Sequence, residues 1–119
     1  METELYDFLE NRLDNCYERQ KYLQSEEYND EANFEKIKIN VYHIFKTVLS
    51  VSLKKYEGDF YQAYDFFIKR FEKIASDWKL AYEKAEQYNH VEKIQIESIK
   101  LEVVQDIKEN MIKIKKEKE

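Results

Sequence analysis

Proline is absent from this 119-residue chain, and glycine occurs once, at Gly58. Without the two residues that most readily stop a helix, long helices can run uninterrupted, and a glycine-rich phosphate loop is excluded. Cysteine also occurs once, at Cys16, so no internal disulfide can form and a reducing, cytoplasmic setting is expected. No apolar run approaches the roughly 18–20 residues of a membrane span, so no membrane partner is expected. The opening Met1 to Asp7 is acidic and leads into no apolar stretch of secretory type. Two histidines are present, His43 and His90, and the residues three before them are Asn40 and Gln87. The Glu-x-x-His pairs of a di-iron carboxylate bundle are therefore missing, and neither a metal nor another cofactor is expected.

What remains is 43% hydrophobic and 38% charged, with 15% aromatic residues, too many for a disordered chain. The length suits a single domain spanning 1–119 with one modest core. Net charge is −5, unevenly placed: residues 1–35 hold eleven acids and three bases, and the rest hold fourteen acids and seventeen bases. An acidic first segment on a mildly basic remainder reads as complementarity between packed helices, or as a surface that steers a basic partner. An overall negative charge argues against direct nucleic-acid binding, which needs basic density.

Apolar spacing predicts four helices. The first runs from Thr3 or Glu4 to about Leu23, with Leu5, Phe8, Leu9, Leu13, Cys16, Gln20 and Leu23 inward and Asp7, Glu10, Asp14 and Glu18 on the opposite, acidic face. Gln24 to Asp30 reads as a loop, and the second helix starts near Asp30 or Asn33. Phe34, Ile37, Val41, Ile44, Val48 and Val51 form its expected core stripe. Ile39, Tyr42, Leu49 and Leu53 form a second stripe, interrupted by Lys46 and assigned to a partner interface. A helix with two apolar stripes is either the centre of a bundle or half of a subunit contact.

Gly58 then suits a left-handed turn, Asp59 an N-cap, and Gln62 the third position of a capping box. The third helix carries Phe60, Tyr64, Phe67, Phe71, Ile74, Trp78, Ala81, Ala85 and Tyr88 in steps of four and three, with Tyr61, Phe66 and Ile68 widening its apolar surface near the start. A break is expected at Asn89–His90, with Asn89 and Glu92 as N-cap and N3; a helix continuous through this point is the alternative. The fourth helix has one seam of Ile96, Ile99, Val103, Ile107, Met111 and Ile114, and a second of Ile94, Leu101 and Ile112. It ends in Lys108, Lys113, Lys115, Lys116 and Lys118, diluted by Glu109, Glu117 and Glu119; lysines there complement the helix dipole. The expected fold is all-α: an antiparallel up-down-up-down four-helix bundle with long third and fourth helices.

Gly58-Asp59-Phe60-x-x-Ala63-x-x-x-Phe67 resembles the opening of the second helix of a tetratricopeptide repeat. The resemblance covers one helix. Val51 and Arg70 stand where small residues are expected, and no second copy follows about 34 residues on, so it implies helix-turn-helix chemistry and not a repeat array.

No acid–base–nucleophile set is present: Cys16 lies on an apolar face, where a thiol packs as a small hydrophobe. The function expected is that of a non-catalytic protein-binding bundle, a homodimeric adaptor or an antagonist of another protein. The expected interface is Ile39, Tyr42, Leu49 and Leu53 with Ile94 and Leu101 of the fourth helix. A toxin or bacteriocin immunity protein is an alternative by analogy of fold. An acidic nucleic-acid mimic, using carboxylates spaced about 5–6 Å apart along Asp7, Glu10, Asp14 and Glu18, is another.

Overall fold

Three short turns set the topology, each built around one residue in the left-handed region: Glu27 (φ 63°), Gly58 (φ 86°) and Asn89 (φ 54°). They separate α1 (Glu2–Ser25), α2 (Asn29–Lys55), α3 (Phe60–Gln87) and α4 (Val91–Lys118). The computed structural model describes residues 2–118, with side chains from residue 4 to residue 115. Glu119, and the side chains of Thr3, Lys116, Glu117 and Lys118, lie outside the described residues.

The first turn is tighter than its polar composition suggests. The Glu27 N–H donates to the Gln24 carbonyl at 3.2 Å and the Tyr28 N–H to the Leu23 carbonyl at 2.8 Å. This pair of bonds satisfies the last carbonyls of α1, so the helix runs on to Ser25 and the expected Gln24–Asp30 loop shrinks to residues 26–28. Helix α2 begins at Asn29, ahead of both expected caps, with Asp30 and Glu31 in its first turn, where carboxylates favour the positive end of the dipole.

In the second turn the Asp59 N–H closes on the Tyr56 carbonyl at 2.9 Å, and Gly58 holds the third position, where a positive φ is required. Asp59 caps α3 as expected, accepting from the Gln62 N–H at 3.2 Å. The Gln62 side chain departs from a standard capping box by donating to the Asp59 carboxylate at 2.8 Å.

The helix does break after Gln87. Asn89 ends α3, its N–H on Glu86, while the His90 N–H reaches the Ala85 carbonyl. His90, rather than Asn89, caps α4 by accepting the Lys93 N–H on Nδ1 at 3.3 Å.

The elements form an antiparallel up-down-up-down bundle measuring 45 × 36 × 26 Å. Helices α3 and α4 have 28 residues each and α1 has 24, while α2, at 27, nearly matches the longest. Helix α2 packs against all three others, whereas α1 packs on α2 and α4 and lies diagonally across from α3.

The inward faces of α1, α3 and α4 follow the expected spacing. Leu5, Leu9, Leu13 and Cys16 are buried on α1, Phe67, Phe71 and Ala85 on α3, and Ile99, Val103, Ile107 and Ile114 on α4. Helix α2 is rotated. Its buried face is Ile39, Val41, Tyr42, Phe45, Leu49 and Ser52, while Ile44 and Val51 of the expected core stripe are exposed. Phe45 decides this. Rotating the helix toward it buries a phenyl ring between Phe71 (centroids 4.9 Å apart) and Trp78 (5.7 Å), with Tyr42 and Leu49 one turn to either side. Each such side chain contributes about 1.5–3 kcal/mol when fully buried. The same rotation swings Lys46 outward to pair with Glu10 of α1.

Two measurements check this packing. Phe45→Ala is expected to cost about 3–5 kcal/mol in urea denaturation, and Ile44→Ala less than about 1 kcal/mol; equal costs would mean that α2 faces the other way. Gly58→Ala has open space around the added methyl but keeps a positive φ, so a loss of about 1–2 kcal/mol is expected from backbone strain alone, and a smaller loss for Gly58→Asn.

Candidate functional site

The most chemically loaded cluster ties three helices together. Arg12 of α1 grips Asp106 of α4 with Nε on Oδ2 at 2.8 Å and Nη2 on Oδ1 at 3.3 Å. The Tyr42 hydroxyl of α2 donates to the same Oδ2 at 2.5 Å. The Arg12 guanidinium also lies 4.6 Å from the centre of the Phe8 ring. Burial alone would raise the Asp106 pKa, but the hydrogen bonds from Arg12 and Tyr42 and the Arg12 charge outweigh it and hold the carboxyl below its usual range. Burial, followed by the adjacent Asp106 carboxylate, lifts the Tyr42 phenol far above its ordinary value. A neutral phenol donating to a fixed carboxylate is a structural tie.

The remaining reactive groups are similarly placed. Burial pushes the Cys16 thiol up to about 11, with the neighbouring Glu35 carboxylate adding to the effect, which leaves a poor nucleophile. Glu35 is itself buried and held by Arg19 at 2.9 Å and Lys38 at 3.7 Å. His43 sits on the outer face of α2, 2.9 Å from the Tyr17 hydroxyl. Among the described residues no three His, Cys, Asp or Glu side chains come together in a way that could hold a metal ion. No described helix is long and apolar enough to cross a membrane.

A different kind of feature lies between α3 and α4. Their outward edges leave an open groove of about 860 Å³, floored by Phe71, Ala75 and Val104 and walled by Tyr64, Ile68, Leu101, Met111 and Ile112. Phe71 and Val104 belong to the core as well, so the floor of the groove is the outer skin of the core. Small Ala75 and Ser76 on the α3 side leave its middle unfilled. Burial of the Tyr64 ring raises its phenol pKa, as an apolar wall would. Lys79, Lys108 and Lys115 stand on the rim with one acid, Glu72.

The residues assigned to a partner interface do not form one surface. Ile39, Tyr42 and Leu49 are buried within the chain, which corrects that assignment: the rotation of α2 made the second stripe the core. Leu53 packs half-buried against that core. Ile94 lines a smaller depression with Phe34 and Val91, and Leu101 lies in the α3–α4 groove. On the acidic face Asp7, Asp14 and Glu18 are exposed, whereas Glu10 is engaged by Lys46, which lowers its pKa. Tyr64, Ile68, Val104 and Met111 were missed as groove residues. The available signal was the α4 edge Leu101, Lys108, Ile112 and Lys115, where apolar residues share one face with lysines that no apolar partner helix would cover.

The Asp106 tie has a pH signature. A carboxyl held below its unfolded pKa stabilises the fold fully above that value, about 3.9, and loses the contribution as pH falls through the lower folded value. Asp106→Asn is therefore expected to cost about 1–2 kcal/mol near neutrality, discounted for the partly exposed position, and to flatten the stability curve below about pH 4. Urea midpoints measured from neutral to acid pH check both.

No protein-family model, curated protein or solved structure significantly matches the chain.

Proposed function

We propose that this chain is a non-catalytic protein-binding bundle, an adaptor or an antagonist, that docks another protein in the groove between α3 and α4. The observation carrying this reading is an apolar trough about 20 Å long, from Tyr64 to Lys79 on one wall and Leu101 to Lys115 on the other, with Ile112 48% exposed on its lip. An exposed apolar strip of this length is what a protein partner covers. The non-catalytic part is supported by the employment of Arg12, Tyr42, Asp106, Cys16 and Glu35 in packing and ion pairs.

An immunity protein that neutralises a toxin would be one form of antagonist. The nucleic-acid mimic has less support, because Lys46 neutralises Glu10 and breaks the carboxylate stripe. The lone Cys16, buried as a thiol, suits a cytoplasmic setting. A homodimer would draw on the same groove, since Ile39, Tyr42 and Leu49 are not free to form it.

Site-specific photo-crosslinking in cells tests the proposal. A photoreactive residue in place of Gln105, on the groove wall, is expected to yield an adduct with another polypeptide that is lost when Leu101→Asp is added. The same residue in place of Asp14 is expected to yield none. Equal labelling from both positions, or none from the groove, would overturn the reading.

A further inference from the structure

The groove is specific about charge, and this bears on what fills it. Most arginines and several lysines of the bundle are paired: Arg12 with Asp106, Arg19 with Glu35, Lys46 with Glu10, Lys69 with Asp65, Lys73 with Asp77 and Lys100 with Glu97. Several described lysines, Lys21, Lys36, Lys84 and Lys93 among them, stand outside these pairs and away from the groove, and three more, Lys79, Lys108 and Lys115, stand on its rim. Lys108 and Lys115 are seven residues apart, two turns along one edge of α4, and Lys79 lies at the opposite end of the groove because α3 runs antiparallel. Among the described residues lining the groove, Glu72 is the only acid.

The groove is also open along its length, so a single alkyl chain laid in it would keep one side wet, unlike a ligand in an enclosing pocket. A helix laid between two helices presents one apolar stripe to the floor and keeps its polar back in water. We infer, building on the protein-binding reading, that the groove receives an acidic amphipathic helix of about four turns. Its apolar stripe packs on Phe71, Val104 and Met111, and carboxylates seven residues apart on one flank meet Lys108 and Lys115. Met111, unbranched and polarisable, adapts the floor to different side chains.

The test uses the full chain and three designed helical peptides of about 15 residues that share one apolar stripe at i, i+3, i+4 and i+7 and differ only in flanks of Glu, Gln or Lys. In fluorescence anisotropy the Glu peptide is expected to bind at least about tenfold more tightly than the Lys peptide, with the difference shrinking as salt rises. The doubly reversed variant Lys108→Glu/Lys115→Glu, at exposed positions and with helicity checked by circular dichroism, is expected to invert the order. Equal binding of all three peptides, or no inversion, would overturn the acidic-helix assignment while leaving the groove as a docking site. Failure of every peptide, together with absent groove crosslinks, would remove the docking site itself. Two further results would each overturn the inference in favour of another occupant. One is saturable binding of a fluorescent fatty acid that Leu101→Asp abolishes and no peptide competes. The other is a concentration-dependent dimer in sedimentation that Leu101→Asp dissolves.

Discussion

One sector of α2, from Ile39 through Tyr42, Phe45 and Leu49 to Ser52, holds this bundle together. It lies on a helix that packs against all three others, and its rings set how they sit. Phe45 fixes α3 through Phe71 and Trp78. Tyr42 does something a phenylalanine could not: it carries a hydroxyl into a nearly dry site, and a hydroxyl there must find a partner. Asp106 of α4 supplies the acceptor, and the carboxylate in turn needs a cation, which α1 provides as Arg12. A single buried phenol thereby aligns α1 and α4 against α2. Ser52 makes the same point on a smaller scale: its buried hydroxyl donates to the Val48 carbonyl at 2.7 Å.

Helix number, the approximate position of the three breaks and much of the inward faces of α1, α3 and α4 are legible, most clearly on α3, whose apolar stripe runs in unbroken steps of four and three, though its last member, Tyr88, lies past the helix end and is exposed. The inward face of α2 is not, and the reason is physical. Its two stripes are nearly equal in hydrophobicity, so spacing alone cannot rank them; what separates them is the volume of Phe45 and the presence of aromatic partners on α3, which is tertiary information. The rest follows from that rotation: with Ile39, Tyr42 and Leu49 in the core, this sector of α2 offers no free interface, and the second seam of α4, Leu101 and Ile112, faces the open groove instead. Helix ends were misjudged for a related reason: Glu27 adopts a left-handed conformation that its residue type rarely takes, held by the two backbone bonds to Leu23 and Gln24.

The groove follows from the same rotation. By turning its richest face inward, α2 sits beneath both α3 and α4 and satisfies their inner edges, but one helix cannot also cover their outer edges. Four helices of this length leave one seam without a fifth neighbour. On the α1–α2 side the outer edges are mixed: Asp14, Glu18, Asn40 and His43 face water at little cost, with Tyr17, Ile44 and Val51 exposed among them. On the α3–α4 side they are Tyr64, Ile68, Leu101 and Ile112. Those side chains leave apolar area in contact with water in the isolated bundle, and their placement on facing walls over a common floor differs from the scattered exposed hydrophobics normal for a protein surface.

Charge placement sharpens that contrast. Of the three bases in residues 1–35, Arg12 and Arg19 are drawn to α4 and α2, which leaves Lys21 as the only cation on the outer side of α1. The acidic surplus of the first segment is thus displayed outward, while Lys79, Lys108 and Lys115 stand at the rim between α3 and α4. Helices α1 and α3 lie diagonally across the bundle, so the acidic face of α1 and the lysine-rimmed seam are separated by a few Debye lengths at most. An acidic segment would meet like charge on the α1 side and lysines at the groove. The rim lysines and the apolar floor lie on one seam, and that coincidence is the ground on which an acidic partner is proposed.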